Sequence, residues 1–224
     1  MSACTISIKS FIAQISCPLL AMSGEDIRGF RTKMYSLLSA LFRYPSRELE
    51  SFRFDAQIPS EHYRESANLL KDLFQLRPYE ESYEIEFTRL FISAYPKVPC
   101  PPYESFYKEG RLMGDCAMEL RELYHAFNID VVREMPDNVS VELEFMGLLT
   151  RMESFAERGN FVEILKVEED MLRKHLTSWI PRFSSCVIKE AKVEFYRRAA
   201  LLLKRFIEED LRYVEKLLRQ QSLT

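Results

Sequence analysis

The sequence predicts an all-α fold in one domain that spans residues 1–224. Of the 224 residues, 47% are hydrophobic and 12% are aromatic, which is enough to form a substantial core without a metal or a partner. The chain contains only 6 glycines, and its long runs of Leu, Glu, Arg and Lys favour helices over a turn-rich β architecture. Apolar residues also recur with helical spacing along most of the chain.

Residues 1–22 have the weakest helical pattern. Lys9, Gln14 and several serines interrupt their apolar residues, so no window reaches the roughly 18 apolar residues of a membrane span. Lys9 also lies inside the apolar run, whereas a secretory signal has its charges at the start. We therefore predict no stable membrane insertion. The segment is expected to be either a short amphipathic helix on the domain or an extension ahead of a later start at Met22.

Prolines divide the first half of the chain into predicted helices. The first carries an apolar face from Phe30 to Phe42 and ends before Pro45, and later helices begin after Ser46, at Pro59 and after Pro78. The predicted spans are, in order, 27–42, 46–54, 59–74 and 80–91.

The second half is predicted to contain four more helices. One ends near Phe127, and the next begins after Asp137 and Asn138, both good N-cap residues. Its buried stripe is predicted to comprise Val141, Phe145, Leu148, Met152 and Phe155. A glycine stop at Gly159 would end this helix. The next helix is predicted over 161–176 and would end before Pro181. The last helix would run from Ser184 or Ser185 to about Leu218.

Two loops interrupt this helical pattern. Residues 99–105, Pro-Cys-Pro-Pro-Tyr-Glu-Ser, are rich in proline and should be stiff and extended. Residues 134–138, Glu-Met-Pro-Asp-Asn, contain a proline that forces a turn just before a capped helix. Because the flanking helices must share one core, we expect the two loops to approach each other with their polar groups on one rim. Rigid loops of this kind are often placed for contact with a ligand.

Charge and cysteine content exclude several classes of protein. The formal net charge of −3 gives no basic field for nucleic acid, so no nucleic-acid binding is predicted. The five cysteines are widely spaced and form no zinc-ligand pattern, so we interpret them as reduced thiols of a cytoplasmic protein. Glu122 and His125 match half of a di-iron signature, but the second half is absent. No metal and no cofactor are predicted.

The order of several motifs resembles that of the TorD/DmsD/NarJ family of redox-enzyme maturation chaperones. The two loops read P-P-Y-E-S and E-M-P-D-N, and the second is followed by V-E-L-E-F-M. Residues 87–91, Phe-Thr-Arg-Leu-Phe, resemble the end of the family helix before the proline loop. Residues 171–179, from Met171 to Trp179, resemble the F-L-x-x-H-L-x-x-W block of the family with Met171 in place of the aromatic residue.

The resemblance implies an all-helical bundle of the TorD/DmsD type and a role as a non-catalytic cytoplasmic chaperone. Its partner would be the precursor of a molybdenum-containing oxidoreductase, bound through a twin-arginine signal peptide and held until the cofactor is inserted before export. The chaperone itself is expected to be a monomer or a homodimer. The predicted peptide-binding residues are Phe87, Leu90, Phe91, Pro102, Tyr103, Glu104, Ser105, Glu134, Pro136, Asp137, Asn138 and Glu142. Aromatic and aliphatic members, with Phe106, would contact the apolar run, and the carboxylates would bind arginine.

One position departs from the family pattern. The second loop of the family is close to E-x-P-D-H, and here the last residue is Asn138. Asparagine cannot change charge near neutral pH as histidine can. Hydrogen bonding and helix capping are the roles that remain for this position.

Three alternatives stay open from the sequence. Leu90 and Phe91 can be core residues and the acids a solvated face, in which case no binding site exists here. The chain can also be a permanent structural subunit of a reductase complex. An enzyme with Ser105, His125 and Asp137 as a triad is disfavoured, because no nucleophile-elbow glycines surround Ser105 and no phosphate-binding loop is present.

Overall fold

The computed structural model describes residues 27–46, 61–76, 79–153, 156 and 158–222. These residues are helical apart from their connections and one isolated β-bridge, which confirms the predicted all-α class. The predicted helix over 46–54 and both interpretations of residues 1–22 fall outside the described residues.

The helices follow one another in this order. They are α1 (Ile27–Leu41), a 3-10 turn (Glu61–Tyr63), α2 (Arg64–Phe74), α3 (Glu81–Phe87) with a π-helical end (Thr88–Ile92), α4 (Glu104–Glu109), α5 (Asp115–Ala126), α6 (Val139–Glu153), α7 (Arg158–Asp170), a π-helical segment (Met171–Leu176), α8 (Thr177–Glu190) and α9 (Glu194–Gln221). One apolar core lies between helices α2, α8 and α9 and the α1/α6 pair. Within the described residues, none of these helices is both long and apolar enough to cross a membrane.

Helix α6 packs along α1 and is buried on almost every side. Leu143, Met146 and Leu149 have no exposed surface, whereas Met152, a member of the predicted stripe, is 36% exposed. The two helices lie close together at Gly147, where a Cβ would be in ordinary van der Waals contact with the Cβ of Tyr35, 3.5 Å away. The predicted helix is therefore confirmed. Of its predicted stripe, Val141 and Phe145 are buried and Phe155 lies outside the described residues, but the most buried side chains belong to another face.

A buried ion cluster joins α1 to three other helices. Arg31 donates from Nε to Asp210 Oδ1 at 2.6 Å and from Nη2 to Glu168 Oε2 at 2.5 Å, and it also pairs with Glu153. Two tyrosine hydroxyls donate to Asp210 as well. Removing Arg31 would leave the buried carboxylates without their cation, a loss that typically costs about 3 to 5 kcal/mol. The cluster therefore holds α1, α6, α7 and α9 in register.

Two predicted helix ends are wrong. Helix α6 ends at Glu153 and not at Gly159, which lies in the first turn of α7 with open space around it. Pro181 lies inside α8 and does not end a helix, so the chain stays helical from Arg158 to Glu190. The predicted start of the last helix at Ser184 or Ser185 is wrong for the same reason, because both serines lie within α8 and the last helix begins at Glu194. The fully buried Trp179 and Phe183 on either side of Pro181 hold both halves against the core, which offsets the lost backbone hydrogen bond.

Candidate functional site

The two loops approach each other, as predicted from the sequence, and they meet through backbone hydrogen bonds. Tyr103 and Asn138 form an antiparallel bridge. On either side of it the N–H of Glu104 donates to the carbonyl of Asp137 at 2.9 Å, and the N–H of Val139 donates to the carbonyl of Pro102 at 2.9 Å. The bridge joins the start of α4 to the start of α6 and sets the spacing of the loops.

Asp137 stabilises α4 rather than the helix that follows it. Its Oδ2 accepts from the N–H of Ser105 at 2.9 Å and from the hydroxyl of Ser105 at 2.5 Å. Ser105 lies in the first turn of α4, where backbone N–H groups lack partners within the helix. Glu104 and Ser105 were predicted to lie in the proline loop, but they begin α4. Neither this short helix nor its cap from the second loop was predicted from the sequence.

Asn138 caps α6, as predicted. Its Oδ1 accepts from the N–H of Ser140 at 2.9 Å and from the hydroxyl of Ser140 at the same distance. Its Nδ2 donates to Oε2 of Glu134 at 3.3 Å. A neutral amide can therefore both cap the helix and hold the carboxylate of Glu134.

Beneath the bridge, two glutamates lie in the interior. Glu104 has no exposed surface, and its two oxygens contact Nδ1 of His175 at 2.9 Å and Nζ of Lys108 at 2.9 Å. Glu142 is equally buried, with Oε2 accepting from Nε1 of Trp179 at 3.4 Å. Burial, and then the charge of Glu104, raise the pKa of Glu142 well above its ordinary value. A protonated Glu142 is the form that this interior favours.

The acids therefore do not form the predicted polar rim. Glu104, Asp137 and Glu142 are buried, and only Glu134 is exposed. The alternative of a solvated acidic face is wrong for the same three residues. Their burial follows from the bridge, because joining the loops covers the first turns of α4 and α6.

The predicted apolar contacts divide into two groups. Phe87, Leu90 and Phe91 are buried in the core, which agrees with the alternative for Leu90 and Phe91 and leaves them inaccessible to a peptide in this conformation. Tyr103 is half-buried, and Phe106 is 39% exposed. Pro102, Ser105 and Pro136 are buried.

An ion pair that was not predicted from the sequence joins α1 to α6. Arg43, just after α1, pairs with Glu144 of α6. Burial raises the pKa of Glu144, and Arg43 acts in the opposite direction. The different surroundings of Glu142 and Glu144 could have been predicted from their spacing, since residues two apart point to different sides of a helix. Glu142 faces the interior and Glu144 the side of α1.

The cysteine prediction is wrong for two residues. Cys100 in the proline loop and Cys186 in α8 form a disulfide with a Cα–Cα distance of 5.9 Å. Cys116 is a buried free thiol, as predicted, while Cys4 and Cys17 lie outside the described residues. The pair is 86 residues apart in sequence, so only the packing of the loop on α8 brings the two sulfurs together. No group of three or more metal-binding side chains occurs among the described residues.

Comparison with known proteins identifies the family. A sequence profile described as the nitrate reductase delta subunit matches residues 58–185, more than half of the chain. The chain belongs to this family. The paired loops and the Met171–Trp179 block lie within the matched range, and the resemblance to the TorD/DmsD/NarJ chaperones is thereby confirmed.

Individual relatives support the same conclusion. The chaperone protein TorD of Vibrio cholerae is 26% identical over 208 residues, which cover 85% of this chain and 94% of that protein. A perchlorate reductase assembly chaperone protein of Dechloromonas aromatica is 25% identical over 198 residues, covering 81% and 88%. A crystal structure described as that of a redox enzyme maturation protein from Archaeoglobus fulgidus aligns with a TM-score of 0.55 and 26% identity, covering 85% of this chain and 99% of that one. These relatives are named as chaperones and as a maturation protein.

Proposed function

We propose that the protein is a cytoplasmic assembly chaperone that binds the precursor of a molybdenum-containing reductase through its twin-arginine signal peptide. It would hold the precursor until cofactor insertion is complete. The observation that carries this proposal is the bridge between Tyr103 and Asn138. The bridge presents a half-buried aromatic ring and the carboxylate of Glu134 on neighbouring loops, and a signal peptide offers an apolar run beside paired guanidinium groups.

The accessible part of this site is smaller than the predicted residue set. Tyr103 and Phe106 offer apolar surface, and Glu134, held by Asn138, offers a carboxylate. The buried acids Glu104 and Asp137 contribute by holding α4 in place under the bridge. Direct contact between them and a peptide requires the proline loop to move.

The proposal is tested by titrating the full chain with a synthetic peptide that carries two adjacent arginines followed by an apolar run. A matched peptide has both arginines replaced by glutamine. We expect Glu134→Gln to weaken binding of the arginine peptide about two- to fivefold, the range for an exposed ion pair, and to leave binding of the glutamine peptide unchanged. Glu163→Gln, at an exposed position on α7, serves as the control variant. Equal affinity of the parent chain for both peptides would contradict recognition of arginine.

A permanent structural subunit remains the second candidate, because the matching family is described as a subunit. The two roles differ in whether the reductase that is bound has already received its cofactor. Affinity capture with the full chain should recover the precursor without its cofactor if the protein is a chaperone. Recovery of the mature, cofactor-loaded enzyme in a fixed ratio would favour the subunit role.

A further inference from the structure

The disulfide ties the proline loop to α8 at the point where the loop turns inward. Cys100 is fully buried, whereas Cys186 is partly exposed. The N–H of Cys100 donates to the carbonyl of Leu90 at 3.0 Å. Between Ser93 and Cys100, the loop forms no backbone-to-backbone hydrogen bond with the other described residues. Among the described residues, the disulfide is therefore the covalent tie in this part of the loop, and the hydrogen bond from Cys100 to Leu90 acts beside it.

The same loop covers the buried acids. Pro102 and Tyr103 lie just beyond Cys100 and Pro101 and form the bridge to the second loop. Glu104 and Glu142 lie beneath that bridge with no exposed surface. A peptide can reach them only when the bridge opens, and the disulfide opposes opening because it fixes Cys100 against α8.

We propose that Cys100–Cys186 is a reversible thiol–disulfide site that controls access beneath the proline loop. The oxidised form, which is the form described above, holds the loop closed. Reduction by a dithiol frees the loop, and the open form binds the client peptide more tightly. The last statement rests on the proposed function, whereas the loop motion does not.

The exchange begins at the accessible sulfur. A thiolate of the dithiol attacks Sγ of Cys186, forms a mixed disulfide there and releases Cys100 as a thiolate, which takes up a proton. The second thiol of the dithiol, as its thiolate, then attacks the mixed disulfide and releases Cys186, which is protonated in turn. The protein gains two electrons and two protons, and the dithiol becomes a cyclic disulfide. With a monothiol, peptide mass mapping should locate the mixed disulfide on Cys186 and not on the buried Cys100.

Loop motion is measured by hydrogen exchange on the full chain, oxidised or treated with dithiothreitol, without peptide. We expect exchange of the Cys100 and Val139 amides to become at least tenfold faster on reduction, while Leu202 in α9 is unchanged. Cys116→Ala should respond as the parent does, because it leaves the disulfide intact. The double variant Cys100→Ala/Cys186→Ala should exchange quickly with or without dithiol. Identical exchange in oxidised and reduced parent chain would overturn the proposal.

Peptide affinity is measured on the same samples with the twin-arginine peptide. We expect the reduced parent chain to bind about tenfold more tightly. This factor follows if the oxidised chain populates the closed state about ten times more than the open state that binds the peptide. Equal affinity in both redox states would overturn the proposed control of access. Binding to neither state would instead contradict the proposed function, and hydrogen exchange alone would then decide whether the disulfide controls the loop.

Discussion

Asp137 caps a helix through a residue 32 positions earlier in the chain, since its carboxylate accepts both the backbone N–H and the hydroxyl of Ser105. The adjacent residue, Asn138, caps the helix that follows. Two neighbouring side chains in one turn thus stabilise the starts of two different helices. The paired loops are held by this division of roles as well as by the backbone bridge.

Replacing Asp137 by alanine should destabilise the protein by about 1 to 3 kcal/mol, because two buried donors of Ser105 lose a charged acceptor. Chemical denaturation followed by circular dichroism measures the change. Asp130→Ala, at an exposed position beside His125, should change stability by less than about 0.5 kcal/mol. A variant at position 137 as stable as the parent would show that the cap contributes nothing.

Asn138→Ala should lower the free energy of unfolding by about 0.5 to 2 kcal/mol, the usual cost of removing an N-cap side chain. Asn138→Asp should keep the fold, because a carboxylate oxygen can still accept from Ser140. Thermal unfolding of the two variants beside the parent separates these outcomes. Equal loss in both would indicate that the contact with Glu134, which aspartate turns from a hydrogen bond into a charge repulsion, outweighs the retained cap.

Glu142→Gln should make stability less dependent on pH. Burial raises the pKa of Glu142 in the folded state, so above about pH 4.3 the folded state holds this proton more firmly than the unfolded state does. The unfolding free energy therefore falls as pH rises from there through the folded pKa. Glutamine resembles the protonated acid and does not titrate.

We expect Glu142→Gln to match the parent near pH 4 and to be the more stable protein at pH 8. Denaturation curves at several pH values test this expectation. Glu163→Gln at its exposed position should leave the pH profile unchanged. A parent chain that is more stable than Glu142→Gln at pH 8 would mean that Glu142 is ionised in the folded state.

Tyr103→Ala should weaken binding of the twin-arginine peptide without changing how binding depends on salt, because its contribution is apolar contact. Glu134→Gln should instead reduce the salt dependence, since exposed charges are screened over about 8 to 10 Å at ordinary ionic strength. Titrations at two salt concentrations distinguish the two effects. Loss of salt dependence in Tyr103→Ala would indicate that the ring acts only by positioning Glu134.

Local signals determined much of the fold. The periodic apolar residues of α1 and the cap at Asn138 depend on neighbours within a few positions, so the sequence alone predicts where these helices lie. Pro45 and the prolines after Tyr95 act in the same way, because proline constrains its own backbone and that of the preceding residue. The family was also recognisable from sequence, because its motifs keep their order along the chain.

Side-chain roles that depend on residues far away in the sequence were decided only by the tertiary structure. The side chain of Asp137 caps α4, the buried Glu142 favours its protonated form, and Cys100 meets Cys186 because segments far apart in sequence pack together. Pro181 stays within a helix for the same reason, since packing of Trp179 and Phe183 outweighs a local preference. Local propensities contribute about 1 kcal/mol or less at most residues, whereas burying a large side chain contributes about 1.5 to 3 kcal/mol.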